Sequence, residues 1–228
     1  MGIAENLHLI DEEIKKHAAL FGHSRKDICL VAVSKLVKDD LVINAMEAGQ
    51  IDFGENQVQE ILRKQDLFTG KRVHMIGRLQ SNKVKYLDGS QLIHSVDRLS
   101  LVRELEKQGS KKQTIFHALV QVNVAGEMQK GGISPDELTG LLEAVESCQY
   151  LKIRGLMNIG PLTDDEEEIR NNFRQMRKLF ENTRGIVYNN SKMEILSMGM
   201  SDDYKIALEE GSNMVRIGSA IFGKRNYQ

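Results

Sequence analysis

The chain has 228 residues, with 31 Lys plus Arg against 32 Asp plus Glu and a net charge of −1. That length allows one large domain or two small ones. The balanced charge argues against a dedicated nucleic-acid binder, which needs a basic excess. Hydrophobic residues make up 41% and charged residues 28%, the composition of a soluble globular protein rather than a disordered one.

Residues 3–21 come first, and Ile3, Leu7, Ile10, Ile14 and Ala18 fall at helical spacing, which predicts a leading helix within residues 1–25. Residues 28–33 are a continuous apolar run, the pattern of a strand buried on both faces. Short strands follow at 51–53, 73–76 and, more weakly, 92–94. The fifth and longest is 115–122, then come 151–156, 193–196 and 213–217. Helical stretches separate them. Ser134-Pro135-Asp136-Glu137 reads as a capping box with proline at N1. Thr163 reads as the cap of the next helix, with the acidic run 164–168 as its solvated first turn. A helix is also expected to open in residues 77–83.

Eight strand–helix units without a linker or low-complexity segment predict an α/β fold, a (β/α)8 barrel over residues 26–223 with a short tail at 224–228. An open doubly wound sheet is the alternative, but no glycine-rich dinucleotide fingerprint follows the first strand. Cys29 and Cys148 match no metal-ligand spacing and read as reduced. The N-terminus lacks a secretory pattern, and Asn6 stands where a myristoylation motif wants Ser or Thr. With no apolar run near the ~20 residues of a membrane span, the expectation is a cytoplasmic protein with neither nucleic-acid nor membrane partners.

A barrel places its chemistry just after the strands. Lys35 directly follows the first strand, where low-dielectric walls would favour the neutral amine that Schiff-base chemistry needs. The same position suits a lysine that reaches out to water. Asn56 follows the second strand and fits either a hydrogen-bonding role or a turn. After the seventh strand Ser201 reads as the N-cap of the next helix, and after the eighth Gly218 and Ser219 open a short helix. Hydroxyls and free backbone N–H groups in the last two loops make a phosphate site. A lysine plus a phosphate cradle points to a phosphorylated aldehyde held as an imine, with pyridoxal 5′-phosphate the natural candidate. His74, His94 and His117 fall within strand patterns and read as core or barrel-lining residues. No HExxH, GxSxG or Walker pattern is present.

The segments VAVSK (31–35), FGEN (53–56), HMIGRLQSNK (74–83), RGLM (154–157), LSMGMSDD (196–203) and MVRIGSAIFG (214–223) occur in this order. With them the chain strongly resembles the pyridoxal phosphate homeostasis protein family, also called the proline synthase co-transcribed homologue family. The resemblance implies a single barrel of the alanine racemase N-terminal type that carries pyridoxal 5′-phosphate as a Schiff base on Lys35. It implies that Ser201, Gly218 and Ser219 hold the phosphate, that Arg216 faces the pyridine nitrogen, and that Asn56 contacts the ring. Arg78 stands where the family usually has proline, and Ser219 where threonine is more frequent.

The function so implied is cofactor homeostasis without established turnover, with apo-enzymes as transient partners and a monomer as the default. The alternative is a racemase-like enzyme. Racemisation needs an acid/base on each face of the ring, and the related racemases bring a tyrosine from a separate β-domain. Here Tyr227 lies in the tail, and no candidate for that second base is expected.

Overall fold

The computed structural model describes residues 2–87, 92–127 and 130–223. Strands β1 (Cys29–Val33), β2 (Asp52–Glu55), β3 (Arg72–Met75), β4 (Leu92–Val96), β5 (Phe116–Gln121), β6 (Leu151–Met157), β7 (Ser191–Ser197) and β8 (Met214–Ile217) form a closed barrel in sequence order. Every neighbouring pair is parallel, and β1 closes on β8 through Cys29↔Met214 to Ala32↔Ile217. The barrel expectation is borne out. The tail at 224–228, with Tyr227, lies outside the described residues.

The helices are α1 (Ile3–Phe21), α2 (Asp39–Glu47), α3 (Val58–Arg63), α4 (Leu99–Lys112), α5 (Leu138–Val145), α6 (Glu166–Arg184), α7 (Tyr204–Glu209) and α8 (Ser219–Phe222). Leading helix α1 covers the predicted span and buries Leu7, Ile10, Ile14 and Ala18, the stripe its spacing requires. It packs against α2, α7 and α8. Among the described residues, no helix is long and apolar enough to cross a membrane.

Several boundaries differ from the sequence expectation, each for a local reason. Strand β7 starts at Ser191 rather than 193 because Lys192 and Glu194 point outward, so the strand alternates where a continuous apolar run was sought. Strand β2 excludes Ile51, which is exposed, and takes in Gly54 and Glu55. After β3 the expected helix is a 3-10 stretch, Ser81–Tyr86. It buries only Val84, and Ser81 and Asn82 are poor helix formers, so one tight turn suffices. Before α5 the Glu137 carboxylate accepts from both the N–H and the hydroxyl of Ser134, as the capping box predicts, but the first turn is 3-10. The cap of α6 is Asp165, which accepts from the N–H groups of Glu167 and Glu168, not Thr163. Thr163 sits two residues out and accepts from the Asp165 N–H.

Candidate functional site

Lys35 lies in a turn two residues past β1, half-buried, followed by Leu36 at φ 57°, a left-handed conformation rare for a branched residue. Among the described residues its amine has no hydrogen-bond or ion-pair partner. The residue before it is held firmly. Lys64, directly after α3, is fully enclosed and donates at 2.7 Å to both Glu55 Oε1 and the Ser34 carbonyl. The Ser34 hydroxyl donates to the same Glu55 oxygen at 2.7 Å. Burial pushes the Glu55 carboxyl upward, opposed by Lys64 and Ser34, and Glu55 Oε2 has no partner. Ser34 is thereby pinned at hydroxyl and carbonyl, which fixes where Lys35 leaves the strand. Sequence reading singled out neither Glu55 nor Lys64. The available signal was that Lys64 continues the Val58, Ile61 spacing, a charge on an apolar stripe.

Asn56 follows β2, and Val33↔Gly54 pairing continued by two residues sets it level with Lys35. Its backbone is touched by the next loop: a Cβ on Gly77 would lie 2.2 Å from the Asn56 carbonyl oxygen, so only glycine allows this approach. A cavity of about 780 Å³ opens beside it between the β2 and β3 loops, lined by Asn56, Gly77, Arg78, Ser81 and Lys83 among others. Arg78 is largely exposed there and pairs with Asp97 at 3.5 Å.

The loops after β7 and β8 meet through Ser201. Its hydroxyl accepts from the N–H of Gly218 at 3.2 Å and of Ala220 at 3.3 Å. Ser201 is therefore not the N-cap of α7, as the sequence suggested. That helix begins after Asp203, whose carboxylate accepts from the Met200 N–H at 2.5 Å and so turns the loop back. The loop also needs Gly199 at φ 94°, where a Cβ would lie 2.6 Å from the Ala207 methyl. Gly218 is buried, Ser219 exposed at the start of α8.

Arg216 projects from β8 into the barrel and is 4% exposed. It donates to Ser197 Oγ at 2.5 Å and to the Asn158 carbonyl at 2.8 Å. Burial pulls its guanidinium down to about 10, with the Asp203 carboxylate opposing, so it is a cation at neutral pH. Strands β2, β1, β8 and β7 are consecutive in the barrel. They bring Asn56, Lys35, Arg216, Gly218, Ser219 and Ser201 to one side of its mouth. His74 and His94 line the interior as expected, while His117 is half-buried. Cys29 and Cys148 are free thiols, and burial pushes Cys29 up to about 12 and Cys148 up to about 11. The acidic run 164–168 is exposed.

The family described as alanine racemase, N-terminal domain, matches residues 6–226. A protein of Aquifex aeolicus named pyridoxal phosphate homeostasis protein is 38% identical over 230 residues, covering 100% of both chains. The chain belongs to the pyridoxal phosphate homeostasis protein family. PipY from Synechococcus elongatus, solved with PLP bound, is 32% identical and superposes with a TM-score of 0.83 over 97% of this chain and 100% of PipY. Alanine racemase from Corynebacterium glutamicum gives a TM-score of 0.71 at 15% identity, over 98% of this chain and 61% of the racemase. At that identity the likeness is one of fold.

Proposed function

We propose that this protein binds pyridoxal 5′-phosphate through Lys35 and serves intracellular cofactor homeostasis as a single-domain, monomeric cytoplasmic carrier that passes the cofactor to apo-enzymes. The observation that carries the reading is the delivery, by four consecutive strands, of a lysine without a partner among the described residues, a buried arginine and two convergent N–H groups to one side of the barrel mouth. The names of the relatives and the PLP-bound PipY support it.

The residues present fit the cofactor. Gly218 and Ala220 N–H share one hydroxyl at the long end of the hydrogen-bond range, an arrangement a phosphate would tighten. Ser201 and Ser219 add hydroxyls, and Asn56 sits where it can meet the ring. When bound, the cofactor supplies an aldehyde for covalent attachment to a lysine and a pyridine ring that accepts electrons. Lys35 supplies the amine, with Ser34 anchored behind it by Glu55 and Lys64. Arg216 presents N–H donors, and its positive charge disfavours a proton on the ring nitrogen. A ring so held is a weak electron sink, suited to storage more than to turnover.

Reconstitution with pyridoxal 5′-phosphate should give a visible imine band that disappears in Lys35→Ala. A band of unchanged intensity in Lys35→Ala would contradict the attachment. Amino acids incubated with the loaded protein in deuterated water should exchange their α-protons no faster than with free cofactor. Enzyme-like exchange would replace the carrier reading with a racemase-like one.

A further inference from the structure

A row of polar side chains crosses the barrel interior below Arg216. Arg216 Nη1 donates to Ser197 Oγ at 2.5 Å, and that oxygen lies 3.3 Å from His94 Nδ1. His94 Nε2 lies 3.0 Å from His74 Nδ1, and His74 Nε2 lies 3.0 Å from Asp52 Oδ1. Arg72 closes the row, donating to Asp52 Oδ2 at 2.5 Å. Asp52 and Arg72 begin their strands, whereas Ser197 ends its own. The row therefore runs from the face opposite Lys35 up to the cofactor side. Ser197 and His94 are fully buried, and His74 nearly so.

The hydrogens along this row follow from donor chemistry. A guanidinium only donates and a carboxylate only accepts, while a neutral imidazole does one at each nitrogen. Burial holds His94 well below the usual histidine value, and the Arg216 charge adds to it, so it is neutral at pH 7. Asp52 stays ionised: burial raises its carboxyl, but the hydrogen bonds from His74 and Arg72 outweigh that. For two neutral rings, Asp52 demands the His74 hydrogen on Nε2, which leaves Nδ1 bare. A bare Nδ1 demands the His94 hydrogen on Nε2. His94 Nδ1 then accepts the Ser197 hydroxyl hydrogen, and the Ser197 lone pair is turned toward Arg216. Every hydrogen points from Arg216 to Asp52.

We propose that Asp52, His74, His94 and Ser197 are positioning residues for Arg216, a one-way hydrogen-bond chain anchored on the opposite face of the barrel that fixes the guanidinium set against the cofactor ring. This rests on the role given to Arg216 above. A buried polar row is costly unless each member is satisfied, and this row gives each a partner.

Nitrogen-15 NMR of the cofactor-free protein at neutral pH tests the chain directly, with His74→Gln and His94→Gln supplying assignments. The expected result is that both histidines carry hydrogen on Nε2 with a bare Nδ1. Asp52→Asn should weaken that preference at His94 and shift the Arg216 side-chain resonances, although Arg216 lies four hydrogen bonds away. In loaded protein, Ser197→Ala should move the cofactor band and Ser197→Thr should restore it. Hydrogen on His94 Nδ1 in the wild type, or Arg216 resonances unmoved by a folded Asp52→Asn, would overturn the proposal. A correct tautomer pattern together with a band that survives Lys35→Ala would instead fault the cofactor reading and leave the chain standing.

Discussion

Lys64 and Glu55 form an ion pair taken wholly out of water, and its geometry makes the two charges mutually dependent. Removing Lys64 strands the Glu55 carboxylate, at a cost of about 3–5 kcal/mol for a buried pair. Lys64→Met should therefore lower the unfolding free energy by that order in a urea titration, and Lys64→Met with Glu55→Leu should recover a good part of the loss. Because Glu55 and Lys64 also hold Ser34, the single variant should in addition slow covalent loading at Lys35. His94 gives a pH dependence of definite sign. Its buried ring is held well below the ordinary value of 6.5, so as pH falls past 6.5 the unfolded chain takes up a proton that the native chain refuses. Stability should fall with pH below about 6.5, and thermal midpoints should show a flatter slope between about pH 5 and 7 in His94→Gln. At this scale Lys35 stood out as a charge directly after an apolar strand, whereas Arg216 was singled out only by the family resemblance. Ser201 was misread because a serine ahead of two aspartates looks like a helix cap, and only the backbone shows its hydroxyl turned to Gly218. Lys64 was missed because its hydrogen-bond partners, Ser34 and Glu55, lie on other elements.

Most elements could be read from their apolar runs, since buried parallel strands are continuous and leave a clear mark. The departures concentrate where a strand has an exposed side, as in β7, or where a turn is held by a tertiary contact, as at Ser201 and Gly218. The β7–α7 loop depends on backbone geometry that a β-carbon does not tolerate. At Gly199 the φ of 94° and the nearby Ala207 methyl and Tyr204 backbone leave no room for a side chain. Gly199→Ala should cost about 1–3 kcal/mol from the backbone conformation alone, with more from the contact. Urea unfolding measures the loss, and a weaker affinity for inorganic phosphate should accompany it, because the displaced loop carries Ser201.

As a whole the molecule is a closed barrel whose eight strands, read from sequence, predict which ends carry chemistry. What sequence could not supply is register. Which inward side chains stack across the barrel depends on strand stagger, so Asp52, His74, His94 and Ser197 looked like unrelated strand residues until the pairing joined them. Register also pairs Val33 with Gly54 and closes β8 on β1, which brings four loops spread over most of the chain to one side of the barrel mouth. The joint claim is that this site receives pyridoxal 5′-phosphate on one particular lysine. Borohydride reduction of the loaded protein, followed by peptide mapping by mass spectrometry, tests it most directly. The expected result is a single stable pyridoxyl label on the peptide bearing Lys35, absent in Lys35→Ala. A label distributed over surface lysines, or confined to a different one, would contradict it.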